Sequence, residues 1–274
     1  MIDLTGKIAI VTGASGGIGK GIIKSLSLAG ANVIVTDLDL DDATKTADLF
    51  LSVGTGDKFA MTLDVTDDSS VTDMVEKSIN EFGRIDILVN NAGIIGFGKW
   101  WERDIPNDDD WIHVHAVNVR GMSKVTRAVA EYMKERRYGK IINIASIAGR
   151  QGSPDMPHYS TSKAAAISLT QSSALELGPY DINVNAICPG LLWTPMWEAI
   201  SKRRLHHGVA DRSFEETEDL SEREFFEQTV EKMIPMKKEQ TPEDIGNLAA
   251  FLGSDLAHNI TGQAINVDGG FRTN

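Results

Sequence analysis

Residues 12–19 read Thr12-Gly13-Ala14-Ser15-Gly16-Gly17-Ile18-Gly19, and the apolar run 8–11 leads straight into them. A short β-branched run that breaks into glycines and then into an amphipathic stretch reads as strand, tight turn and helix. Six more short apolar runs follow, at 33–35, 59–63, 87–89, 141–144, 184–188 and 264–267. Most are closed by Gly, Asn or Asp. Short runs, mostly rich in β-branched residues, suit strands buried on both faces, as in a parallel sheet. Helical patterns lie between them, such as Val114, Val117, Met122, Val125, Val129 and Met133. The alternation predicts right-handed βαβ units and an α/β, doubly wound parallel sheet of about seven strands with helices on both faces. Seven strands use most of the chain, so residues 1–274 are expected to form a single domain.

Composition narrows the function classes. The 274 residues are 42% hydrophobic and 24% charged, which suits a globular chain rather than a disordered one. The 27 basic and 39 acidic residues give a net charge of −12. That balance argues against nucleic acid as a partner, since phosphate backbones call for clustered Lys and Arg. It also argues against anionic membrane surfaces. The single cysteine, Cys188, has no internal disulfide partner and reads as a small core residue in a reducing compartment. No run is long enough to span a bilayer, and the N-terminus lacks a signal-peptide pattern. A cytoplasmic location is expected.

The glycine turn points to a nucleotide. Glycine lets the backbone turn sharply and lets a pyrophosphate approach a helix N-terminus. The spacing of Gly13, Gly17 and Gly19 is one residue longer than the common dinucleotide fingerprint, but its place between first strand and first helix fits one. The second strand ends at Asp37. A carboxylate there would accept hydrogen bonds from both adenosine ribose hydroxyls and repel a 2′-phosphate. Leu38, Asp39 and Leu40 follow, with no basic residue, so NAD is expected over NADP. Methyltransferases that use S-adenosylmethionine pair similar features, and the second half of the chain separates the two classes.

In that half, Tyr159 and Lys163 open an Ala-rich helical run as Tyr-Ser-Thr-Ser-Lys. A spacing of four puts both side chains on one helix face. A phenol is a weak base at neutral pH, and a neighbouring ammonium is expected to lower its pKa.

Taken together, these residues resemble the short-chain dehydrogenase/reductase (SDR) family over essentially the whole chain. Thr12 through Gly19, including Ser15 and Ile18, is similar to the family's glycine turn. Asp64-Val65 resembles its adenine-holding pair, and Asn90-Asn91-Ala92-Gly93 its fourth-strand signature. Asn118, in Asn-Val-Arg-Gly, resembles the helix asparagine of its catalytic tetrad. Ser146, closing the fifth strand, resembles its catalytic serine. Pro189-Gly190, Leu192 and Thr194 resemble the turn beside the nicotinamide. Asn266-Val267-Asp268-Gly269-Gly270 resembles the usual end of the fold.

The resemblance implies a Rossmann-type fold, a homotetramer, and a set of roles. Tyr159 would exchange a proton with the substrate oxygen, and Ser146 would orient that oxygen. Lys163 would assist Tyr159 and hold the nicotinamide ribose. Asn118 would order a water that links Lys163 to solvent. The cofactor-binding residues would be Gly13, Ser15, Gly17, Ile18, Gly19, Asp37, Asp64, Val65, Asn91, Gly93, Tyr159, Lys163, Pro189, Gly190, Leu192 and Thr194.

Residues 195–240 contain no strand pattern and are too long for a plain connection. They read as a substrate-binding insertion of two helices, one over 196–205 and one starting at Ser221, where Ser221 and Glu224 form a capping-box pattern. The polar stretch 206–220 between them is expected to let the insertion move as a lid. The five tryptophans fall after two strands: Trp100, Trp101 and Trp111, then Trp193 and Trp197. They are expected to wall a substrate pocket with Met196 and Phe225 or Phe226. Lys202-Arg203-Arg204-Leu205-His206-His207 reads first as a solvated helix face balanced by Glu215, Glu216 and Glu218. A clamp on a carboxylate, phosphate or coenzyme A tail is the alternative. The histidines show no metal-ligand spacing, so no metal is expected.

The expected function is NAD-dependent interconversion of a secondary alcohol and a ketone, small to medium and partly apolar, with oxidation favoured. A hydroxyacyl-CoA, another anionic hydroxy substrate or a polyol are the alternatives within that class. A non-catalytic NAD-binding sensor is the rival outside it.

Overall fold

The computed structural model describes residues 2–207 and 220–274. Seven strands form one parallel sheet: β1 (Ile8–Thr12), β2 (Asn32–Asp37), β3 (Lys58–Thr62), β4 (Ile87–Asn90), β5 (Gly139–Ile144), β6 (Ile182–Pro189) and β7 (Ala264–Val267). Their order is β3-β2-β1-β4-β5-β6-β7. Every pairing is parallel, including β1 with β4. The strand order therefore reverses between β1 and β4, and a cleft opens beyond their C-terminal ends.

Two-sided burial explains the runs of apolar residues. Ala9, Val11, Val33, Val35, Ile87 and Val89 face one core, while Ile8, Ile10, Ile34 and Leu88 face the other. The first core is closed by α1 (Gly17–Leu28), α2 (Leu40–Leu49) and α9 (Pro242–Gly253). The second is closed by α3 (Asp68–Phe82), α5 (Met122–Arg136) and α6 (Pro157–Leu177). A short α4 (Asp108–His115) runs into α5 through a π turn at Ala116–Gly121.

The insertion begins with α7 (Pro195–His207) and resumes with α8 (Glu222–Met233). The capping box is formed: Glu224 N–H donates to the Ser221 hydroxyl and Ser221 N–H to the Glu224 carboxylate, at 3.3 and 2.9 Å. Most of the stretch expected to flex, together with Glu215, Glu216 and Glu218, lies outside the described residues.

Helices α1 and α9 lie nearly in backbone contact. A Cβ at Gly21 would sit 2.2 Å from the Pro242 carbonyl carbon. Gly21→Ala should therefore cost about 1–3 kcal/mol through overpacking. Gly178→Ala, where an added Cβ meets nothing within 4 Å, should be close to neutral. Urea denaturation of the two variants tests this, and equal stabilities would refute the close-packing argument.

Candidate active site

A cavity of about 1040 Å³ opens at the strand switch point. One set of lining residues comes from the turns after β1 to β4: Gly13, Gly17, Ile18, Gly19, Asp37, Asp64, Val65, Asn91 and Gly93. Pro189, Gly190, Leu192 and Thr194 join them from the end of β6. Ser146, Tyr159 and Lys163 also line it. Two expected residues do not. They are Ser15 and Asn118.

The glycine turn is held from both sides. Gly13 has φ of 58°, and a Cβ there would lie 2.7 Å from the Ala92 Cα. Asn91 donates its side-chain N–H groups to the carbonyls of Thr12 and Gly13, at 3.0 and 2.7 Å. The Thr12 hydroxyl accepts from the N–H of Asn91 and of Ala92, both at 3.0 Å. Ser15 N–H donates to Asp37 at 2.9 Å, and Leu38 N–H to its other oxygen at 2.9 Å. Both carboxylate oxygens of Asp37 are thus oriented by backbone.

These residues fit a dinucleotide. Helix α1 has no side-chain cap at its N-terminus, and Gly16 to Gly19 face the cavity there. Uncapped N–H groups and the helix dipole favour a pyrophosphate. The Ser15 hydroxyl is buried with no hydrogen-bond partner among the described residues. Asp37 supplies acceptors at the end of β2, where ribose hydroxyls are expected.

The reacting side chains sit on α6 and at the end of β5. Asn90 donates to Thr126 and Asn143, and Asn143 donates to Thr170 of α6, at 2.8, 2.8 and 2.9 Å. This buried ladder locks α6 on the sheet. Lys163 is 4% exposed, and its Nζ donates to the Ile144 carbonyl at 2.9 Å. That Nζ lies 5.7 Å from the Tyr159 ring centre. Tyr159 packs among Ile95, Trp100, Met156 and Ile200. The Ser146 hydroxyl sits beside the phenol and favours its ionised form.

Burial dominates both groups. Burial pushes the Tyr159 phenol up to about 12, opposed only in part by the Ser146 hydrogen bond. Burial likewise pulls Lys163 down to about 8. The expected lowering of the tyrosine by Lys163 is corrected accordingly: burial of the phenolate raises the phenol, and Ser146 is the group that lowers it.

Asn118 sits in the π turn and is fully buried. Its Oδ1 accepts from Ile94 N–H at 2.9 Å, and its Nδ2 donates to the Ile94 carbonyl and the Ser162 hydroxyl at 2.8 and 3.0 Å. It therefore fixes the loop after β4 against α6. Other positioning groups escape a reading by motif. Arg150 donates to Asn266 at 3.1 Å and to the Ala264 carbonyl, anchoring the loop after Ser146 on β7. His158 Nε2 bonds the Ile95 carbonyl at 2.7 Å, one residue before the tyrosine.

The aromatic wall is smaller than expected. Of the five tryptophans only Trp197 lines the cavity. Trp193 packs on Phe226 and the Arg223 guanidinium, and Trp100 is buried within Tyr159's cluster. Trp111 is 38% exposed and packs on His115 and His158 instead. Phe225 and Phe226 are fully buried, and α8 presents Thr229 and Met233 instead. The solvated-face reading of the basic cluster fails at Arg203, which is 3% exposed. Arg203 pairs with Asp155 and donates to the carbonyls of Arg103 and Asp104, at 3.2 and 2.7 Å. Lys202 and His206 do face solvent.

The chain resembles known proteins over its whole length. A family profile described as enoyl-(acyl carrier protein) reductase matches residues 13–272. Galactitol 2-dehydrogenase of Agrobacterium fabrum is 40% identical over 268 residues, 97% of this chain and 98% of that protein. The 3-oxoacyl-(acyl-carrier-protein) reductase FabG of Thermotoga maritima is 36% identical over 274 residues, 97% and 98%. Among solved structures, levodione reductase superposes with a TM-score of 0.85 at 28% identity, covering 97% of each chain. A short-chain type dehydrogenase/reductase from Mycobacterium marinum gives 0.84 at 31% identity, covering 100% and 98%. The likeness spans the nucleotide turn, the tyrosine helix and the closing strand alike, and the chain belongs to the short-chain dehydrogenase/reductase family, oxidoreductases that work with a nicotinamide dinucleotide.

Proposed function

We propose that the protein is an NAD-dependent dehydrogenase that interconverts a secondary alcohol and a ketone. The observation that carries this reading is the convergence of Tyr159, Ser146 and Lys163 on one cavity wall. When bound, the nicotinamide supplies the hydride chemistry. Ser146 and Tyr159 hold the substrate oxygen between two hydroxyls. Tyr159 gives its proton to a ketone oxygen, or takes one from an alcohol. Lys163 stays charged at neutral pH, because even its lowered pKa lies near 8. Its charge steadies the phenolate once the proton has moved. Asn118, His158 and Arg150 act through the loops they hold.

NAD is favoured over NADP by Asp37. Its oxygens are held by Ser15 and Leu38 N–H groups, so the carboxylate cannot swing away from a 2′-phosphate without losing both bonds. The acidity of the whole chain, at −12, disfavours an acidic carrier protein as substrate carrier.

Three outcomes follow from this chemistry. Tyr159→Phe keeps the ring and removes the proton. Turnover should fall about a hundredfold to ten-thousandfold, while NAD still quenches protein fluorescence. Near-normal turnover would refute the proton role, and no NAD-linked turnover of any alcohol or ketone by the unmutated protein would favour the sensor.

Asp37→Ser should lower kcat/KM with NAD and raise it with NADP, shifting the ratio about tenfold or more. A native enzyme that prefers NADP would overturn the assignment.

Lys163 also makes a stability prediction. Its folded pKa is about 8, below the unfolded value of 10.5, so between them the unfolded chain binds more protons. Unfolding free energy from this group therefore rises with pH across that window. Relative to Lys163→Met, the native protein should gain about 3 kcal/mol from pH 7 to pH 10.5. Paired urea titrations at both pH values measure it, and a pH-independent difference would contradict the burial argument.

A further inference from the structure

The second set of cavity residues comes from the loop after β5, from α7 and α8, and from the C-terminal end of the chain. Trp197, Met156, Met196, Ile200 and Met233 supply much of its carbon surface. Met196, Trp197 and Ile200 follow one face of α7 at helical spacing. Ile200 belongs to the apolar cluster that holds the Tyr159 ring, and Met196 and Trp197 pack against that cluster. The phenol that meets the substrate oxygen is therefore continuous with an apolar wall.

Most polar groups of this half are committed to the protein itself. The Thr229 hydroxyl of α8 donates to the Phe225 carbonyl at 2.8 Å. The Ser153 hydroxyl accepts from Met156 N–H at 3.2 Å. Asp155 is shared by Arg203 and Arg204, and the Arg204 guanidinium also lies over the Trp197 ring at 5.7 Å. Arg272 stacks on Phe271 at 4.5 Å, and its backbone N–H donates to Asp268 at 2.8 Å. A substrate hydroxyl moved from water onto this wall finds few partners, and each unpaired one costs binding.

The wall combines a fixed part with an adaptable one. The Phe226 ring meets Trp197 edge-on at 5.2 Å, so packing from α8 places the indole. The three methionines are unbranched and polarizable, and they fit carbon shapes of different outline.

We propose that Trp197 determines specificity, and that the substrate is an uncharged secondary alcohol or ketone bearing an apolar chain or ring of several carbons. This substrate class presupposes the oxidoreductase reading. The indole seats the apolar substituent together with Met156, Met196 and Met233, while the reacting oxygen lies at Tyr159 and Ser146. A polyol is disfavoured, because its neighbouring hydroxyls would lie unpaired on the same wall.

Equilibrium binding tests this apart from turnover. The probes are 2-pentanol, 2-heptanol, 2-nonanol, galactitol and 6-hydroxyheptanoate. Each is titrated into the full-length protein loaded with NADH or NADPH, whichever it binds tighter, and followed by the fluorescence of the bound cofactor. Alcohol and reduced cofactor cannot react, so binding alone is read. The dissociation constant should fall about threefold for each added methylene, or about a hundredfold from 2-pentanol to 2-nonanol. That ratio should drop about tenfold in Trp197→Ala and shrink in the same direction in Met233→Ser. Because the ratio is internal to each variant, a general loss of stability does not mimic the result. Galactitol should bind at least about tenfold more weakly than 2-heptanol. No dependence on chain length, a ratio untouched in both variants, or tighter binding of galactitol would overturn the proposal. Tighter binding of 6-hydroxyheptanoate than of 2-heptanol would also overturn it. That result would assign the site to an acid through Arg272, whose Nε is buried with no hydrogen-bond partner among the described residues. Failure of the oxidoreductase reading shows differently, as chain-length-dependent binding with no nicotinamide-linked turnover of any probe.

Discussion

The site depends on how β1 is tied to β4. The strand order reverses between them, so the chain leaves each strand in a different direction and the sheet ladder stops. Carbonyls exposed at such a break need donors. Asn91 supplies them to Thr12 and Gly13, and the Thr12 hydroxyl in turn receives the N–H groups of Asn91 and Ala92. This knot closes the floor of the cleft and sets the glycine turn so that α1 begins at the cavity. The Ser15–Asp37 contact then carries the same frame outward to β2. Without the knot, the N–H groups of α1 and the Asp37 carboxylate would have no common geometry.

The frame was largely legible in the sequence because its signals are local. Apolar runs without alternation mark two-sided burial, and all seven strands lie where those runs lie. The start of α8 was legible because a capping box involves only Ser221 and Glu224. Tyr159 and Lys163 were legible because one helical turn separates them. What stayed hidden has partners far away in the chain. Arg150 reads as any loop arginine until Asn266 and Ala264 arrive beside it, more than a hundred residues on. Asn143 and Thr170 look like ordinary strand and helix residues until the ladder forms. The tryptophans misled for a related reason: their position after strand ends is a topological fact, but which ring faces the cavity depends on helix rotation, and four of the five are turned elsewhere.

The proton chemistry shows a similar division. A charge four residues away is a pairwise effect, and spacing alone suggests that Lys163 should make Tyr159 more acidic. Desolvation is collective, arising from Ile95, Trp100, Met156 and Ile200 together, and no spacing reveals it. Both groups consequently favour their neutral forms more than in water. At neutral pH the phenol therefore carries its proton.

The basic cluster of α7 separates in the fold because adjacent helical residues point about 100° apart. Lys202 goes to solvent, Arg203 into the protein and Arg204 to the cavity. Arg203 is immobilised by Asp155 and two carbonyls, so it nails α7 to the loop before α6 and to the segment after Trp100. That anchoring keeps Trp197 and Arg204 in a fixed relation to Tyr159, which begins the next turn beyond Asp155. The net charge of the chain governs its long-range encounters. The charge a substrate meets in the cavity is instead decided locally, by how the rotation of α7 distributes its basic residues between solvent, wall and cavity.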